Sequence, residues 1–170
     1  MNRQCKEFLI KSLVLFLLSV GPILPSSAAD SALKKMGVYS NEESGDGEHS
    51  GGYTVWLWRT SSGLKGVFKQ HEGLIGDGSS GEISNVLFDA KKNVSFTTEF
   101  PCTEGWKASF KGRLIAGKLI GTVVQSSGQA NQEKVTLTEC CKDAEQFKDY
   151  DNVEAWKRDW VPDVQCGESR

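Results

Sequence analysis

Four of the five cysteines, all but Cys5, with two histidines and a cluster of acidic residues, are the positions at which this sequence could do chemistry. Cys102, Cys140, Cys141 and Cys166 form an even set, which reads as a disulfide framework in a chain bound for an oxidising compartment. A bond between the adjacent Cys140 and Cys141 would close a strained eight-membered ring. Two pairings remain, in which each adjacent cysteine goes to a different partner, Cys102 or Cys166. A metal centre is the rival use of the same thiols, but there is no C-x-x-C, and only His49 and His71 could add imidazole ligands. We expect no metal and no cofactor.

A serine or cysteine hydrolase needs a positioned base, and again only His49 and His71 are available. His49 stands in the polar stretch EESGDGEHSGG, which reads as a mobile loop. His71 ends a strand-like run, and G-x-S-x-G is absent. No catalytic residues are assigned, and the chain is read as a non-enzyme. Glu42, Glu43, Asp46 and Glu48 are dense in hard oxygen donors, but their spacing fits no EF-hand, so a solvated charge run is expected. Gly73 to Gly81 is glycine-rich without the Lys-Ser/Thr ending of a phosphate loop, and reads as a turn.

The stretch YTVWLWR, Tyr53 to Arg59, carries the remaining candidates. In a strand Tyr53, Val55 and Leu57 share one face, and Trp56 and Trp58 share the other. Both faces are apolar, so the tryptophans must be covered by another part of the chain or by a ligand. Tyr53, Trp56 and Trp58 are therefore the candidate ligand-binding residues.

From Met36 to Thr138 the chain is a series of eight strand-like runs separated by Gly, Ser, Asn and Asp: 36–41, 52–60, 64–71, 82–89, 93–100, 107–115, 118–125 and 133–138. Ala116-Gly117 supplies the clearest tight turn. Gly66, Gly112 and Gly121 interrupt three runs and let a sheet coil sharply. The expected fold is all-β, a single antiparallel up-and-down barrel of about eight strands with a short C-terminal helical segment. A β-sandwich is the alternative.

GVYSN (Gly37 to Asn41) and GLKGVF (Gly63 to Phe68) resemble the Gly-x-aromatic first and third strands of lipocalin and avidin meander barrels. The likeness covers about the first quarter of the chain beyond its leader. The late-strand tryptophans of avidins and the later motifs of lipocalins are missing. The whole layout also resembles small secreted bacterial proteins to which no activity attaches. The resemblance implies a barrel and transfers no functional residue.

Residues 1–29 resemble a secretory signal, with Arg3, Lys6 and Lys11 before the apolar run Leu13 to Val20, then Ser27-Ala28-Ala29 as the cleavage site. That run is too short to span a bilayer, and no other candidate follows, so no membrane span is expected. Cleavage also removes Glu7, taking the formal charge from −2 to −4. No basic run remains to neutralise phosphates, which argues against a nucleic-acid partner. The chain divides into a signal peptide (1–29), a barrel domain (30–139) and a disulfide-linked tail (140–170) packed on the barrel. Asp143 with Gln146 and Asp151 with Glu154 are spaced as capping boxes, and Val153, Trp156 and Trp160 then share one helical face before Pro162. That face is the candidate cover for Trp56 and Trp58. The reading is a secreted or periplasmic binding protein for a small or apolar ligand. The alternative is an inhibitor or immunity-type protein gripping a cell-envelope protein through its loops.

Overall fold

The computed structural model describes residues 32–44, 46–75, 78–101, 105–127, 129–141 and 146–160. Residues 1–29, read above as a secretory signal, and Cys102 and Cys166 lie outside the described residues. Nine strands run in chain order: β1 Lys34–Ser40, β2 Glu43–Ser44, β3 His49–Thr60, β4 Gly63–Leu74, β5 Ser79–Phe88, β6 Asn93–Glu99, β7 Lys107–Ile115, β8 Lys118–Ser127 and β9 Gln129–Cys140. One helix, α1, spans Val153–Trp160 among the described residues.

Every pairing is antiparallel, and from β3 to β9 each strand pairs with the next. β1 closes the ring by pairing with both β9 and β3, while the two-residue β2 hangs on the end of β3. The chain is thus the expected closed up-and-down barrel of eight strands, with its helix near the C-terminus. Several strands extend past their apolar alternation. β9 begins at Gln129, and its polar start pairs residue for residue with Gln125–Ser127 of β8. Backbone ladders need no apolar side chains, so the apolar pattern underestimates their length. His49, expected in a mobile loop, is instead the first residue of β3 and pairs with Leu74.

Two consecutive left-handed residues, Ala116 and Gly117 with φ of 47° and 73°, turn β7 into β8, which is the twist a two-residue hairpin requires. Gly112 and Gly121 face one another across that hairpin, and the end of the Phe110 ring lies over both. A methyl group on either would collide with the opposing backbone, so the glycines create the space the ring fills.

The interior is a column of rings. Tyr53 stacks on Phe68 at 5.5 Å, Phe68 meets Phe96 at 5.8 Å, and Phe96 stacks on Phe110 at 5.3 Å. Val55, Leu57, Ile83, Leu119, Val123 and Leu137 fill the remainder. The alternation along β3 sends Trp56 and Trp58 outward, where a second apolar cluster forms with Val38, Val67, Phe147, Tyr150 and Trp156. The C-terminal segment is hydrogen-bonded down onto this wall. Leu33 and Tyr150 exchange backbone hydrogen bonds of 2.8 and 2.9 Å, Asp149 Oδ1 accepts from Lys35 N, and Trp58 Nε1 donates to Lys148 O at 2.8 Å. Asn152 caps α1, its Oδ1 accepting from Ala155 N. The residue in the capping position is thus one place beyond the Asp151 that spacing suggested.

Candidate functional site

Where the C-terminal segment stops covering the barrel wall, a cleft of about 530 Å³ remains. Its apolar sides are Val38, Trp56, Ile75 and Trp160, with the Trp56 and Trp160 ring centres 5.4 Å apart. Its polar floor comes from outward positions of β1, β3 and β4: Ser40, Thr54 and His71, with Lys69 and Glu42 beside them. Cys140, Cys141 and Gln146 complete the rim.

The floor is a continuous chain of polar contacts. Ser40 Oγ lies 2.8 Å from Thr54 Oγ1, which lies 2.8 Å from His71 Nε2. Glu42 Oε1 stands 3.1 Å from His71 Nδ1, but off the direction of a hydrogen bond, so this buried nitrogen has no hydrogen-bond partner. Ser40 Oγ also lies 3.3 Å from the Tyr53 carbonyl, to which it can donate, either hydroxyl can donate in the Ser40–Thr54 contact, and the tautomer of His71 sets the direction of the Thr54–Nε2 contact. Antiparallel pairing sets Thr54 opposite Lys69 and Gly52 opposite His71, which makes Thr54 and His71 diagonal neighbours on the outer face.

Burial is the largest influence on His71 and holds its imidazole below the ordinary 6.5; Glu42 pulls upward and Lys69 adds to the depression. With the folded value below the unfolded one, the unfolded chain binds more protons as the solution is acidified. The stability from the neutral ring is therefore fully present above 6.5 and is lost as pH falls through the folded value. We expect the melting temperature to drop on acidification below that point, and the drop to be smaller in His71→Gln. Equal drops in both proteins would refute this assignment.

The sequence-derived candidates separate. Trp56 lines the cleft, whereas Trp58 is fully buried under Phe147, Trp156 and Trp160. Tyr53 points inside the barrel, where its hydroxyl donates to Glu133 Oε2 at 2.8 Å and accepts from Gln125 Nε2 at 3.0 Å. Burial first, then Glu133, push its phenol well up. Tyr53 and Trp56 therefore stand on opposite faces of β3, so the three candidates do not form one site. Asp46 takes hydrogen bonds from the backbone of Glu48 and His49 and from the His49 ring, which together hold its carboxyl below the usual range.

Cys140 is a half-buried thiol and Cys141 an exposed one, and the two are not bonded to each other. Burial pushes the Cys140 thiol up to about 12, with the Cys141 side chain adding to the shift. Such a thiol is protonated and a poor nucleophile at neutral pH.

The residues that sequence reasoning missed are Ser40, Thr54 and Glu42 as partners of His71. The β3–β4 register, readable once the Ser61-Ser62 turn is fixed, places Thr54 beside His71, and the β1–β3 pairing of Ser40 with Thr54 brings in Ser40 and the neighbouring Glu42. No protein-family model matches the chain, and no curated protein or solved structure matches it.

Proposed function

We propose that this protein is a non-enzymatic binding protein that holds a small, partly apolar ligand in the cleft between the barrel wall and the C-terminal segment. The observation that carries this reading is the buried Nδ1 of His71, left without a hydrogen-bond partner at the base of a cleft walled by Trp56 and Trp160. A cleft of about 530 Å³ suits a small molecule. Two indoles give it flat apolar contact, and the imidazole offers one directed polar contact. The barrel interior supports the same choice by contrast, because its rings already occupy it.

Binding suits the floor better than catalysis. Ser40 Oγ is engaged with Tyr53 O, Thr54 Oγ1 and the Glu42 amide, and Thr54 is a buried, β-branched strand residue. A hydroxyl held in this way orients a ligand but has little freedom to attack one. A second reading, a loop-borne grip on an envelope protein, is favoured by Leu74 and Ile75, exposed beside the cleft at the end of β4.

The residue pattern at 1–29 supports export to the periplasm or beyond, and export in turn supports oxidation of the free Cys140 and Cys141 thiols to disulfides with Cys102 and Cys166. The meander layout supports the likeness to lipocalin barrels.

Titration with anilinonaphthalene sulfonate tests the cleft. One saturable site is expected, and Trp56→Ala should weaken it about tenfold through loss of one aromatic wall. Unchanged affinity in Trp56→Ala would overturn the assignment, and binding lost in Leu74→Ser alone would favour the loop reading.

A further inference from the structure

We propose that the outer wall formed by β5 to β8, at the end carrying the β5–β6 and β7–β8 turns, is a docking surface for an anionic phospholipid membrane. This wall lies away from the cleft, and the proposal does not depend on it.

Three of the five large exposed apolar side chains of the described residues stand there: Leu87 at 70 % exposure, Ile115 at 44 % and Ile120 at 43 %. The barrel explains none of them, since each occupies an outward position of its strand and adds nothing to the interior. The cross-strand register places them among cations. Arg113 is paired with Ile120, Lys118 with Ile115, and Lys111 with Ser95, which is itself the partner of Leu87. Directly opposed residues are about 5 Å apart on such a face. The β5–β6 turn adds Lys91 and Lys92, and Arg113 is tied to that turn by a hydrogen bond to the Lys91 carbonyl.

The carboxylates near this wall are few and engaged. Asp89 accepts from the backbone and side chain of Asn93, Glu139 sits beside Gly117, and farther along the wall Glu82 pairs with Lys65 at 3.0 Å and Glu99 with Lys107 at 2.6 Å. A chain whose net charge is negative has thus gathered Lys91, Lys92, Lys111, Arg113 and Lys118 around three exposed aliphatic side chains. Charge alone would suit any polyanion. A soluble polyanion offers no hydrocarbon for Leu87, Ile115 and Ile120, whereas a membrane interface supplies anionic headgroups and acyl chains at one depth. Complementarity of both kinds selects the membrane.

Flotation of the full chain with phospholipid vesicles tests the proposal. Binding is expected to vesicles of phosphatidylcholine mixed with phosphatidylglycerol, to be absent with phosphatidylcholine alone, and to weaken as salt is raised. Lys111→Gln and Arg113→Gln should each lower the partition coefficient about fivefold. Leu87→Ser should lower it further, and its exposed position lets the fold persist, which an unchanged melting temperature checks. Three results would overturn the proposal: no binding to the anionic vesicles, binding that survives all three substitutions, or capture by a soluble acidic polysaccharide or oligonucleotide with no vesicle binding.

Discussion

Replacing Trp58 with alanine is expected to cost the protein about 3–5 kcal/mol, the range for deleting a large buried aromatic side chain. The indole is fully buried, with Phe147 and Trp160 each at 4.9 Å between ring centres and Trp156 at 5.8 Å. Its Nε1 also donates to the Lys148 carbonyl, so truncation strips the C-terminal segment of an aromatic bed and one hydrogen bond together. Against a typical total stability of about 5–15 kcal/mol, that loss unfolds a marginal domain. Urea denaturation monitored by circular dichroism gives the difference directly. Trp58→Phe should recover most of the packing and forfeit the hydrogen bond. In a double-mutant cycle, Trp156→Ala should be non-additive with Trp58→Ala, because the two rings touch. Additivity would mean that α1 is held by something other than this wall.

Phe68→Ala should be comparably damaging from inside the barrel, again by about 3–5 kcal/mol. Phe68 is almost completely buried and touches Tyr53, Phe96 and Phe100 at 5.5, 5.8 and 6.2 Å between ring centres, so its removal breaks the column at its middle. The vacated space should be apolar and dry. Denaturation under bound xenon checks this, with stabilisation expected in the variant and little in the parent. Equal xenon stabilisation of both proteins would show a cavity already present and would move the ligand reading to the interior.

The fold was legible because its signals are local. Alternation in the short runs gives strands, Ala116-Gly117 gives a hairpin, and Gly112 and Gly121 mark the place where the sheet curls over Phe110. The double-sided YTVWLWR pattern was equally informative, since each of its two apolar faces belongs to a separate cluster. The candidate site was legible only in part. Trp56 is visible as an outward aromatic. Ser40, Thr54, His71 and Glu42, by contrast, come from different segments and meet through register and closure, and spacing along one chain carries no trace of that meeting. The two-residue period of a strand already puts Tyr53 on the face opposite Trp56 and Trp58, and the structure places it inside the barrel.

Fluorine NMR of the protein labelled with 5-fluorotryptophan tests the cleft most directly, because its five tryptophans report on different places. Trp56 and Trp160 line the cleft, Trp58 and Trp156 lie buried behind it, and Trp106 packs against the barrel interior. On titration with anilinonaphthalene sulfonate, the Trp56 and Trp160 resonances are expected to shift together and to saturate at one equivalent, with Trp106 unmoved. A shift confined to Trp106, or none at Trp56 and Trp160 at saturating probe, would contradict the cleft as the binding site.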